Sequence, residues 1–143
     1  MDTENKLFEK ELVVKSVTGN LSLIRNFTKS AAEKCGFNNE AIGKITLAVD
    51  EACTNIIKHA YKNSPEGDIV VNISIANKKM SIAITDYGYN FDPANVPEPD
   101  IRKFYNRHKV GGLGICLMKK LMDEVNFYSV ADKRNQVVLV KYF

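Results

Sequence analysis

The sequence predicts an α/β fold, a two-layer sandwich in which one mixed, mostly antiparallel sheet is covered on one face by helices. Three observations predict it. Five strand-like stretches rich in Val and Ile are interspersed with three stretches of helical apolar spacing. Two of the strands, 69–76 and 80–86, are separated only by a turn at 77–79, a hairpin that an all-parallel sheet cannot contain. The chain has 143 residues, the size of one domain, and shows no internal repeat, low-complexity tract or long linker. We therefore expect a single domain over 1–143.

In chain order, residues 8–17 (FEKELVVKSV) read as the first strand. From Asn20 to Cys35, the apolar residues Leu21, Ile24, Phe27 and Ala31 keep helical spacing, and Gly36 supplies a C-terminal stop. Asn38 or Asn39 caps a second helix, with Ile42, Ile45, Val49, Ala52 and Ile56 on its apolar face, running to about Ala60. The turn-forming NSPEGD at 63–68 precedes the hairpin. Residues 87–110 form a long irregular segment that holds three of the four prolines; loops of that length inside a domain are usually functional or disordered. A third helix opens at Gly111–Gly114, with Ile115, Met118, Met122 and Val125 in register. Strands at 125–131 and 136–142 close the chain.

Composition narrows the function. Twenty Lys and Arg against 17 Asp and Glu give a net charge of +3, too small for a general binder of nucleic-acid backbones. A hydrophobic fraction of 45% and a charged fraction of 26% exclude disorder, collagen and coiled coil as descriptions of the chain. No apolar run approaches the ~20 residues that cross a bilayer, and the N-terminus is polar and acidic. Cys35, Cys53 and Cys116 are an odd count without a CxxC pair, which suggests small buried side chains in a reducing compartment. The expected location is the cytoplasm, with no direct nucleic-acid or membrane partner.

Three local features could carry chemistry. Four residues of helix turn through about 400°, so Glu51, Asn55 and His59 line one stripe beside the core face. An Asn oxygen suits Mg²⁺, and a nearby carboxylate can accept a proton from an attacking hydroxyl. A solvated helix face would look the same. Asp86-Tyr87-Gly88 ends a strand; a carboxylate there can accept from the exocyclic amine of adenine and would repel the carbonyl that guanine offers. Gly88 would let a base or sugar approach the backbone, although Asp and Gly also end strands for purely local reasons. Gly111-Gly112-Leu113-Gly114 opens a helix whose free amides and dipole favour an anion, or else it is an ordinary capped helix or hinge. It is neither a P-loop nor GxGxxG, since the third glycine position of the latter is Leu117. Arg102, Lys103, Arg107, His108 and Lys109 precede it, either as a basic lid or as a solvated loop.

Together and in this order, the features resemble the histidine-kinase-like ATPase superfamily, and within it the small bacterial anti-sigma factor serine/threonine kinases of partner-switching systems. The resemblance spans almost the whole chain. EACTNIIKHAY (51–61) matches the N box, DYGYNFDP (86–93) the first glycine box, and GGLGICLMKKLMDEV (111–125) the second. It implies a Bergerat-type ATP-binding fold. By position, Glu51 would be the general base, Asn55 the Mg²⁺ ligand and Asp86 the reader of adenine. Asn55, His59, Gly88, Gly111, Gly112, Leu113, Gly114 and Ile115 would surround ATP, with the amides of Gly112 to Ile115 on the phosphates and 94–110 as a lid. The implied reaction is transfer of the ATP γ-phosphate to a Ser or Thr of a STAS anti-anti-sigma protein. The implied second role is transcription regulation by sequestering a sigma factor, usually as a homodimer. Two positions depart from the family pattern. Asn90 replaces the second glycine of D-x-G-x-G, and Asn135 and Gln136 stand where a Gly-Thr pair often supplies an adenine-side contact. A nucleotide-gated binding module without significant kinase activity is the alternative reading.

Overall fold

The computed structural model describes residues 8–88, 109–130 and 134–143. Five strands, β1 (Phe8–Lys15), β2 (Asp68–Ala76), β3 (Lys79–Asp86), β4 (Glu124–Val130) and β5 (Arg134–Tyr142), form one sheet in the order β1-β2-β3-β5-β4. Every described pair is antiparallel, so the parallel pairing that a mixed sheet would need does not occur among these strands. The hairpin between β2 and β3 turns at Asn77 and Lys78, whose φ angles of 54° and 61° match the positive φ that a two-residue type I′ loop demands at both positions.

Alternation decides which face is buried. Ile69, Val71, Ile73 and Ile75 of β2, Met80, Ile82 and Ile84 of β3, and Val137 and Leu139 of β5 all point into the core. Period two then carries the same inward face on to Asp86 at the end of β3 and to Asn135 near the start of β5. Two polar residues thus occupy the rim of the apolar layer.

The helices α1 (Leu21–Cys35), α2 (Asn39–Asn55) and α3 (Lys109–Leu121) complete the described fold, with α2 packed against both of the others. A short 3₁₀ turn at Thr18–Asn20 occupies the expected entry to α1, which begins one residue later than predicted. Its stop is a full Schellman motif. Gly36 has φ 91°, its N–H donates to Glu33 O, and Phe37 N donates to Ala32 O. Asn38 caps α2 through its side chain, which accepts from Ala41 N at 2.8 Å. The expected apolar stripe of α2 is the core: Ile42, Ile45, Val49, Ala52 and Ile56 are all buried.

The cysteines divide. Cys53 is buried, and burial, with the Asp50 charge adding to it, pushes its thiol far up and keeps it inert. Cys35 is half-buried and Cys116 exposed, contrary to the expectation of three buried side chains. No helix among the described residues is long and apolar enough to cross a membrane.

Candidate functional site

The site grows from the C-terminal end of α2. Glu51 and Asn55 are half-buried on its last two turns, one residue to the side of the core stripe. Asp50, next to Glu51, is held by Arg25 of α1 at 2.8 Å. The chain then changes geometry. Ile56–Ala60 forms a π turn, with Tyr61 N donating to Ile56 O at 2.9 Å. A π turn holds more residues than an α turn, so the predicted stripe is correct for Glu51 and Asn55 but does not extend to His59 by simple 400° steps. His59 is half-buried within the wider turn. Asn55, at the start of that turn, makes no side-chain capping hydrogen bond to it.

The π turn delivers Ala60 and Tyr61 to the end of β3. A Cβ on Gly88 would lie 2.4 Å from Ala60 O and 2.6 Å from Ala60 C, so this glycine is required by the chain itself. The sequence leaves open whether Gly88 admits a ligand or ends the strand for local reasons; the structure fills the space beside it with Ala60 of the N box. The phenol of Tyr61 donates to Asp68 O at 2.6 Å and accepts from Tyr87 N at 2.7 Å, joining the start of β2 to the segment after β3. Its ring lies over Gly67, where a Cβ would come within 2.4 Å of the ring atom Cε1. Ala60, Tyr61, Ser64, Tyr87 and Gly88 line an open cavity of about 340 Å³.

Asp86 is 5% exposed. Burial raises its pKa above the ordinary carboxylate value, while hydrogen bonds from Asn135 and from the Gly88 N–H work in the opposite direction. Both donors end on the same oxygen: Asn135 Nδ2 and Gly88 N each lie 3.0 Å from Oδ1. Asn135 is the register partner of Asp86 across β3 and β5. One residue along, Gln136 Nε2 donates to Thr85 Oγ1 at 2.9 Å. The two positions that lack the expected Gly-Thr pair therefore bind the strand carrying Asp86.

The second glycine box enters through α3, which packs beside α2. The helix begins at Lys109, two residues before the expected start at Gly111. Free amides belong to the first turn of a helix, and beyond it N–H groups pair with carbonyls four residues back. Gly111, Gly112, Leu113, Gly114 and Ile115 all lie in the N-terminal part of the described helix. Ile115 is half-buried and Met118 and Met122 are buried, but the helix ends at Leu121, so Val125, expected in the same helical register, instead belongs to β4, where it pairs with Leu139. Asn90, the basic cluster at 102–108 and the expected lid, apart from residues 109 and 110, lie outside the described residues.

A family model described as the histidine kinase-like ATPase domain matches residues 14–141, from the end of β1 to the end of β5. The chain belongs to the histidine kinase-like ATPase family. Within that family it is 35% identical over 126 residues to the serine-protein kinase RsbW of Listeria monocytogenes, covering 85% of this chain and 79% of the relative. RsbW of Bacillus subtilis, also named a serine-protein kinase, is 32% identical over 110 residues, covering 73% and 68%. The fold aligns with a crystal structure of the RsbU and RsbW domains of a Mycobacterium tuberculosis protein, at TM-score 0.68 and 14% identity, over 94% of this chain and 32% of that one. Similarity to named serine-protein kinases over most of the chain supports a serine-kinase function for this family member, and the ATPase-domain match supports use of ATP.

Sequence reasoning missed two residues of the site. Tyr61 stands at the end of the N box, but nothing in the apolar spacing signals that its hydroxyl links two strands. From sequence Asn135 signals only the loss of a contact, because the register that sets it opposite Asp86 exists only once β3 and β5 pair.

Proposed function

We propose that the chain is an ATP- and Mg²⁺-dependent kinase that transfers the γ-phosphate to a Ser or Thr of a small STAS anti-anti-sigma protein. In the same proposal it sequesters a sigma factor, works as a homodimer and resides in the cytoplasm. The observation that carries the reading is the junction of the N box with the first glycine box. The end of α2 and its π turn abut Asp86–Gly88 through Ala60 and Tyr61, in a chain 35% identical to a serine-protein kinase.

Each residue then has a task. Asp86, at the rim of the sheet, accepts from the adenine amine. Gly111 and Gly112 offer amides at the start of α3 to the phosphate oxygens. Asn55 presents an amide oxygen, a hard donor that fits Mg²⁺. Among the described residues no group of three or more His, Cys, Asp and Glu forms a metal cage. When bound, the ion neutralises charge on the phosphate oxygens. Glu51, one turn before Asn55, takes the proton from the attacking hydroxyl as its oxygen bonds to phosphorus and the bond to ADP breaks. Positioning and charge neutralisation supply most of the catalysis in such transfers, so a short set of residues suffices.

The test is transfer of labelled γ-phosphate to a STAS protein encoded beside this chain. Glu51→Ala is expected to reduce the transfer rate by about 10²-fold or more while leaving ATP affinity near that of the unaltered chain. Full transfer by the variant would remove Glu51 from the role. ATP binding with no transfer by the unaltered chain would favour a nucleotide-gated regulatory module.

A further inference from the structure

We propose that Asn135 is a positioning residue that sets the purine preference of the site, acting through Asp86. The inference rests on the reading of Asp86 as the contact for adenine. Asn135 is paired in register with Asp86, faces the same inner side of the sheet, and donates from Nδ2 to Oδ1 at 3.0 Å. An ionised carboxylate can only accept hydrogen bonds, so the amide nitrogen is the end of Asn135 that this contact requires.

Geometry makes the contact more than a brace. The Gly88 N–H also ends on Oδ1 at 3.0 Å, so both bonds that the described residues make to this carboxylate converge on one oxygen. They fix the plane of the group and leave Oδ2 to meet a ligand. Gly88 supplies its donor from the same short segment as Asp86, whereas Asn135 supplies its own from a different strand. The cross-strand bond is therefore the one that ties the carboxylate to the sheet.

Selectivity follows from the protonation state. An ionised carboxylate accepts from an amine and repels a carbonyl oxygen, which separates adenine from guanine. A protonated carboxyl can donate to that same carbonyl, and the distinction is lost. At 5% exposure Asp86 is poorly hydrated, so donors from the protein must replace water to keep it an acceptor. Asn135 is the side chain placed to do this.

The experiment measures affinities of the full chain for ATP and for GTP, each with Mg²⁺, by direct titration. It compares the unaltered chain with Asn135→Leu, similar in size without a donor, and Asn135→Asp, isosteric and bearing a second carboxylate. A lost hydrogen bond to a charged group should lower the ATP-to-GTP affinity ratio by about tenfold or more in the Leu variant, and further in the Asp variant. A purely structural role would weaken both nucleotides together and leave the ratio unchanged. Thermal unfolding identifies which variants are folded, and the ratio in either folded variant decides the matter. A ratio within about twofold of the unaltered chain overturns the proposal while leaving ATP binding at Asp86 intact. Failure of the unaltered chain to bind either nucleotide overturns the ATP reading and this inference with it.

Discussion

Asp86 is a buried charge that costs the fold stability and that the proposed ATP site would use. Its carboxylate ends an inward-facing apolar row, and its pKa is raised by burial despite the donors from Asn135 and Gly88. Among the described residues, the Asp86 charge in turn raises the pKa of the Tyr61 phenol, as does that of Asp68, adding to the larger effect of burial. Because the folded pKa exceeds the unfolded one, the folded chain binds the extra proton between the two values. The ionised form therefore opposes folding in full above the folded pKa, and the cost is relieved as pH falls through that window. Asp86→Asn should stabilise the nucleotide-free chain by about 1 kcal/mol above the window, as removal of a strained functional charge commonly does. Denaturant midpoints at several pH values check this. The advantage should shrink as pH falls through the window, and an advantage that grows toward acid would contradict the assignment.

At the scale of elements, the decisive feature is the join between the π turn and the segment after β3. Gly88 and Ala60 approach too closely for any side chain at 88, and Tyr61 clamps Asp68 and Tyr87 beside them. Gly88→Ala should cost about 1–3 kcal/mol of stability, as overpacking does, and should weaken ATP binding by moving Asp86 relative to α2. Chemical denaturation and nucleotide titration measure the two effects; a fully stable variant would show that Ala60 yields without cost. This join also marks the limit of what the sequence makes legible. Alternation and helical spacing locate the five strands and three helices of the described residues within a few residues, because burial of Ile, Val and Met imposes those periods. A change from α to π hydrogen bonding leaves no such trace, since the adjacent buried pair Ile56 and Ile57 carries no period of its own. Gly88 was legible as a constrained position, but its constraining neighbour was not, because Ala60 becomes adjacent only after the strands and helices pack.

For the whole molecule, a five-stranded antiparallel sheet and three described helices join the end of the N box to the end of β3 and set α3 beside α2. Glu51 and Asn55 come from α2, Asp86 from β3 and the glycines from α3, with β5 contributing Asn135. The most direct measurement of the central claim, that these elements form one Mg²⁺-dependent ATP site, is thermal unfolding of the chain and of Asn55→Ala with ATP or ADP, each with and without Mg²⁺. At ~100 times the dissociation constant a nucleotide should add roughly 2.7 kcal/mol of stability. The account predicts a clear rise in melting temperature with ATP and Mg²⁺ and loss of the Mg²⁺-dependent part in Asn55→Ala; no shift with any nucleotide, or an undiminished Mg²⁺ effect in the variant, would contradict it.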